Sequence, residues 1–259
     1  MMKKLIFTIL LTTLAVFSIN AGLVQQADSA YKGQNYGQAL KLYTAAKDSL
    51  GPSATLYYNI GNCYYRLNRP GKAIVNYERA LRLDPLHDEA ATNLEFVNSK
   101  LTDRPGERGT FIGNVLDSSA NAVGSDGWAM IAVLCFIFTV GAILLYIFTS
   151  NIMLRKVGFF GGGLMILLCV LAVFFSFRSA AIALSDHTAV VIETSTILST
   201  SPRQPANAQE EALVLHEGAR MNVLDSVTVK TDSTSTTWLD VEIDNQHRAW
   251  INAKSVERI

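Results

Sequence analysis

Gly127-Trp-Ala-Met-Ile-Ala-Val-Leu-Cys-Phe-Ile-Phe-Thr-Val-Gly-Ala-Ile-Leu-Leu-Tyr-Ile-Phe148 and, after a short break, Leu164-Met-Ile-Leu-Leu-Cys-Val-Leu-Ala-Val-Phe-Phe175 decide how this chain is organised. No charged side chain falls between Asp126 and Arg155, and none between Lys156 and Arg178. A helix needs roughly 20 mostly apolar residues to cross a hydrocarbon core, and the runs Gly127–Leu154 and Val157–Phe177 both reach that length. Spans are therefore expected at 127–150 and 157–178, antiparallel because the link 151–156 is short. Gly158-x3-Gly162 and Gly141-Ala142 offer small surfaces for close packing between them. With no Asp, Glu, Lys, Arg or His inside either span, an ion or proton pathway is not indicated.

The link carries Arg155 and Lys156 and no acid, and short basic loops stay cytoplasmic. Residues 1–21 agree with that orientation. Lys3 and Lys4, the apolar run Leu5–Phe17 and Ser18-Ile-Asn-Ala21 have the three parts of a secretory signal peptide. Ile19 stands where a smaller residue is usual, so cleavage and retention as an anchor both fit. Either way the flanks 22–126 and 179–259 are expected together on the periplasmic, outer side of the cytoplasmic (inner) membrane.

Residues 22–102 contain a repeat. Ala39-x3-Tyr43-x2-Ala46 returns 34 residues later as Ala73-x3-Tyr77-x2-Ala80, and Tyr31 returns as Tyr65. The second copy reads Tyr57-x2-Ile60-Gly61-x2-Tyr64, then Ala73, Tyr77, Ala80 and Pro85. Small residues at Gly61, Ala73 and Ala80 let two helices approach, aromatics fill the space between neighbouring pairs, and Pro85 stops the second helix. Helices are expected near 22–33, 36–49, 54–67 and 71–83, with a capping helix near 87–101 that buries Ala91, Leu94, Phe96 and Val97. The period and residue order resemble the tetratricopeptide repeat. The resemblance implies a groove lined by the first helix of each pair, here Asp28, Tyr31, Lys32, Tyr58, Asn62, Tyr65 and Arg66, which would bind a protein segment. Arg66, Arg69 and Lys72 cluster beyond the helix turn and would suit an acidic partner or a solvated edge. Residues 103–126, with Pro, several Gly, Ser and Asn, read as a linker to the membrane.

After the second span the composition changes. Eleven acidic against six basic side chains give residues 179–259 a formal net charge of −5. Alternating, β-branched stretches such as Thr188-Ala-Val-Val-Ile-Glu193 and Trp238-Leu-Asp-Val-Glu-Ile243 are separated by turn-rich breaks, including Asp232-Ser-Thr-Ser-Thr-Thr237. A small β-barrel or sandwich is expected over 185–259. Leu215-His-Glu217-Gly218-Ala, Trp238-Leu-Asp-Val241 and Arg248-Ala-Trp250-Ile resemble a bacterial SH3-like domain, with Ala249 where a glycine is usual. In that resemblance Glu217 and Gly218 make the turn into a long strand, and Trp238, Val241 and Trp250 pack into the barrel.

The fold class expected for the whole is thus multi-domain α and β: an α-solenoid of repeats, a transmembrane helical hairpin and a small C-terminal SH3-like β-barrel. The 22 basic and 22 acidic residues of the 259-residue chain balance, which leaves no electrostatic footprint for nucleic acid. Three cysteines, Cys63, Cys135 and Cys169, make no disulfide framework. The four histidines lack metal-site spacing and no nucleophile motif occurs, so neither enzymatic activity nor a cofactor or metal is expected.

The order of signal segment, tetratricopeptide repeats, two spans and SH3-like domain resembles BatE-type membrane proteins of aerotolerance operons. That resemblance implies a non-enzymatic scaffold in an envelope-stress assembly. It also implies partners bearing von Willebrand factor A domains and, through them, a MoxR-type AAA+ ATPase. An alternative reading is a peptidoglycan-sensing or hydrolase-accessory protein acting through the SH3-like domain.

Overall fold

The computed structural model describes residues 22–103, 110–185, 187–231 and 234–259, and the expected signal segment 1–21 lies outside them. They form two compact units. One combines the N-terminal helices with the C-terminal sheet; the other is the apolar hairpin with the helix that precedes it.

The first unit begins with five helices, α1 (22–32), α2 (Tyr36–Leu50), α3 (Ala54–Arg66), α4 (Pro70–Leu83) and α5 (Asp88–Asn98). Local chemistry sets their ends. Asn35 and Ser53 cap α2 and α3 by accepting the amides of Gln38 and Leu56, which satisfies donors that a helix start leaves free. The left-handed Gln34 and Asn68 turn the chain between partners. Ala39, Tyr43 and Ala46 of α2 pack with Leu56, Ile60 and Cys63 of α3, all buried. At Gly61 an added Cβ would lie 2.7 Å from the Tyr77 ring, so the ring of α4 occupies the space a side chain would need. On α5 the buried residues are Ala90, Leu94 and Val97. Ala91 is exposed and Phe96 is 47% exposed, so the capping helix turns a narrower face inward than its apolar residues suggested.

Seven antiparallel strands follow the hairpin: β1 (Thr188–Val191), β2 (Ser195–Ser199), β3 (Glu211–His216), β4 (Arg220–Thr231), β5 (Thr234–Glu242), β6 (Arg248–Asn252) and β7 (Val256–Arg258). They make one curled sheet in the order β3-β2-β6-β5-β4-β1-β7. Its core takes alternate residues, among them Ala189, Val191, Leu198, Met221, Leu239, Val241 and Ile251, as the two-residue period of a strand requires. In the Thr-rich stretch expected as a break, residues 234–237 belong to β5. Thr237 and Thr228 face each other in register with their hydroxyl oxygens 3.1 Å apart, a pairing that β-branched residues favour.

The repeat, expected at 22–102, and the sheet, expected at 185–259, lie in one compact unit. They share a hydrophobic core. Ala73, Ile74, Val75 and Tyr77 of α4 cluster with Leu94 and Val97 of α5 and with Val190 and Ile259 from the sheet. Strand β1 is divided by its alternation: Ala189 and Val191 face the sheet core while Val190 faces the helices.

The second unit holds α6 (Phe111–Asn121), α7 (Gly124–Phe148) and α8 (Ile152–Leu184). Both α7 and α8 are long and apolar enough to cross a membrane, and most of their large side chains face outward. Their seam uses small residues. A Cβ on Gly158 would lie 2.7 Å from the Ala142 carbonyl, and one on Gly162 would lie 3.3 Å from the Ala142 Cβ. Where a linker was expected, α6 is a helix, started by Thr110 Oγ1 accepting the Gly113 amide. Arg178 pairs with Asp117 at 2.7 Å, and the Trp128 indole donates to the Ala120 carbonyl at 3.0 Å; together they tie α6 to the spans.

Candidate interaction site: the repeat groove and its covered back

The seven groove residues expected from the repeat lie on α1 and α3. Asp28 accepts the Tyr43 hydroxyl, so it serves the packing of α1 on α2. Tyr31 meets Tyr36 edge to face at 5.2 Å. Arg66 donates to the Tyr36 hydroxyl and its guanidinium sits 4.7 Å from that ring, a cation–π contact. Burial raises the Tyr31 pKa, with the Arg66 charge opposing it. Lys32 is exposed.

Further along α3, Asn62 Oδ1 accepts both the Tyr77 hydroxyl at 2.7 Å and the Asn93 amide at 2.8 Å. Those two bonds occupy the carbonyl side of Asn62 and leave its NH₂ turned from them. The Tyr58 ring lies 5.1 Å from that of His87, and Tyr65 meets Phe96 edge to face at 5.8 Å. Lys100 covers Phe96 at 4.1 Å. The site is thus a half-buried row of aromatic rings and amides crossing from α1 to α5, with Arg66, Lys32 and Lys100 as its charges. Tyrosine combines contact area with a hydroxyl and few rotatable bonds, which suits recognition of a peptide. Tyr36, His87 and Asn93 were missed in the sequence because they fall outside the repeat pattern.

The repeat-packing residues take the back of this row. Ala39, Ala46, Ala73, Tyr77 and Ala80 are all but fully buried, Tyr43 is 3% exposed, and Gly61 is buried between helices. Tyr57 and Tyr64 are half-buried, and Pro85 is exposed just past the end of α4.

The other face of α4 is covered by the sheet. A Cβ on Gly71 would come within 2.3 Å of the Val191 carbonyl oxygen, so the helix and β1 touch backbone to backbone. Glu217 is not a barrel-core residue. Its Oε1 accepts the Gly71 amide at 3.2 Å and lies 3.7 Å from Arg69 Nε, a carboxylate at the electropositive start of α4. Arg69, expected to meet an outside acid or solvent, finds its acid within the chain. Gly218 has φ +95°, and a Cβ there would strike Leu101 at 2.5 Å. Three further contacts fasten the face: Arg79 to Glu257 at 2.7 Å, Arg220 to Glu78 at 2.8 Å, and Arg82 to the Ile259 carbonyl at 2.8 Å. His216 gives its amide to Asp103 at 2.5 Å, with its ring 3.2 Å from the same carboxylate.

On the sheet itself Trp238 is buried, Val241 is in the core, and Trp250 is only half-buried. Trp250 does not enter the barrel because β6 alternates, and Ala249 and Ile251 take the core side. Across from Trp250 in register, buried Asp240 is held by Arg248 through Nε at 2.8 Å and through Nη2. Among the described residues no group of three or more His, Cys, Asp or Glu side chains is placed to hold a metal.

The family model of the tetratricopeptide repeat matches residues 54–86, which span α3 and α4. No curated protein matches the chain. A tetratricopeptide repeat supports a protein–protein interaction role, and two apolar helices of spanning length accompany it.

Proposed function

We propose that the chain is a membrane-anchored, non-enzymatic scaffold whose repeat groove grips a segment of a partner protein. The observation that carries this reading is the covered back of α4. The sheet occupies the outer face of the second repeat, so a partner of that repeat is left with exposed Arg66 and the half-exposed parts of Tyr58, Asn62 and Tyr65 beside α5. The test uses the full chain in mild detergent, with co-purified membrane proteins as the readout. Because both side chains also pack against α4 and α5, Tyr58→Ala with Asn62→Ala is compared below its own melting temperature, where it should lose the partner; an unchanged set of co-purified proteins would count against the groove.

The packing of residues 22–103 on 187–259 supports the two-span topology, because flanks that share a core must lie on one side of the membrane. With Arg155 and Lys156 in the link, that side is the outer one in our reading. Thiol labelling from outside intact cells at a cysteine placed in 152–156 would overturn it. We assign the curled sheet to the SH3-like class and the assembly to the BatE type. On that reading the partners carry von Willebrand factor A domains, with a MoxR-type ATPase beyond them; mass spectrometry of the co-purified complex tests both. Peptidoglycan contact through the sheet is a second reading, favoured by half-exposed Trp250. Trp250→Ala in the full chain should then abolish sedimentation with purified peptidoglycan.

A further inference from the structure

The turn between the two spans carries chemistry that the groove does not use. Tyr146 near the end of α7 and Ile152, Arg155, Lys156, Phe159 and Phe160 at the start of α8 line an open cleft of about 370 Å³. Its wall is aromatic: Tyr146 and Phe159 lie 6.0 Å apart, and Phe160 meets Phe159 edge to face at 5.3 Å. The Arg155 guanidinium rests 5.3 Å from the Tyr146 ring. That contact uses one face of the planar cation and leaves its edge donors available. Arg155 and Lys156 are exposed, and no Asp or Glu occurs in the sequence between Asp126 and Asp186.

We propose that this cleft binds the phosphodiester headgroup of an anionic phospholipid, in whichever leaflet the turn faces. The proposal rests on reading α7 and α8 as membrane spans, since their joined ends then sit at headgroup depth. Arg155 supplies a fork of donors and Lys156 a point charge, the pair of groups that a phosphodiester takes. The rings and Ile152 receive the glycerol and first methylenes. A free phosphate would leave that apolar wall without a partner. A zwitterionic headgroup would bring its own cation against two others.

The experiment is native mass spectrometry of the delipidated full chain, titrated with equal amounts of phosphatidylglycerol and phosphatidylcholine of the same acyl chains. The chain should retain phosphatidylglycerol preferentially. Arg155→Gln and Lys156→Gln should each lower that preference about fivefold and, combined, about 25-fold. Phe159→Ala should weaken retention of both lipids while keeping the preference. Equal retention of the two lipids, or an unchanged preference in the double variant, overturns the site. Displacement of phosphatidylglycerol by millimolar inorganic phosphate overturns the lipid in favour of a free anion. If alkaline carbonate releases the chain from membranes, the spanning reading fails and the lipid site with it. A chain that resists carbonate but shows no preference sinks the lipid site alone.

Discussion

Helices α2 and α4 hold the same place in successive repeats, yet among the described residues only α4 is enclosed. In α2 the buried residues are Ala39, Tyr43 and Ala46, one stripe turned toward α3. In α4 the counterparts Ala73, Tyr77 and Ala80 are joined by Gly71, Ile74, Val75 and Asn76. The differences lie at positions that the repeat pattern does not prescribe. Lys41, Thr44, Ala45 and Asp48 of α2 correspond to Val75, Glu78, Arg79 and Arg82 of α4. A solvated back in the first repeat has become a docking face in the second, built by exchanging surface residues while the packing stripe stays the same. The stripe makes the repeat, and the residues beside it decide what the repeat carries on its back.

The largest effect expected from breaking this contrast is at Ile74. Its truncation to Ala should cost about 2–4 kcal/mol, because the side chain is wholly buried between helix and sheet. Its counterpart Leu40 is half-buried, and Leu40→Ala should cost well under half as much; thermal unfolding of the full chain in detergent compares the two. Next comes the glycine pair. Gly71→Ala should destabilise by about 1–3 kcal/mol through the clash with β1. Gly37, with nothing within 4 Å of its added Cβ, should accept Ala and gain up to about 1 kcal/mol. If both substitutions behave alike, α4 is not in backbone contact with the sheet.

The ion pairs should contribute less. A double-mutant cycle on Arg79→Gln and Glu257→Gln should give a coupling of about 0.5–1 kcal/mol that fades in high salt. Thr44 and Ala45 offer α2 no such partner to lose. The smallest effect at neutral pH concerns the buried thiol and phenols of the two helical clusters. Burial pushes the Cys63 thiol up to about 12, and burial likewise raises Tyr43 and Tyr77. Groups with raised native pKa values stabilise fully below their unfolded pKa, and that stability is lost as pH rises toward the native value. Stability should therefore hold through neutral pH and fall above about pH 9, by up to about tenfold in the folding constant per pH unit for each group. A flat profile there would show that these groups are open to water.

Much of the architecture was legible in the sequence because it follows from periodicity. The 34-residue recurrence, the charge-free runs and the β-branched alternation each report local structure. The docking of sheet on helix was not legible, although its residues were in view. Glu217 and Gly218 read as a turn, which they form, but the same pair also seats the start of α4 and admits Leu101. Val190 in β1 looked like one more core residue, and only the curl of the sheet decides that it faces the helices. Helix α6 was hidden by Gly113 and Asn114, which weigh toward a loop until Thr110 supplies the cap. In the groove, the pattern reached Tyr58, Asn62 and Tyr65 but not Asn93 or His87, which join from the neighbouring helix.

The shared core between α4 and β1 has a consequence for how the chain is made. Its apolar hairpin is an insertion within a discontinuous folding unit, so the repeat emerges with the Ile74–Val75 face bare. Synthesis of both spans and the whole sheet comes before β7 can cover it, an interval on the order of ten seconds or more at roughly 5–20 residues per second. During that time the face is available to a holdase or a protease, and final folding waits on synthesis of both apolar helices. Ribosome-stalled chains ending before β1 should accordingly be cleaved at α4 far faster than full-length chains, and equal cleavage of the two would refute this order of events.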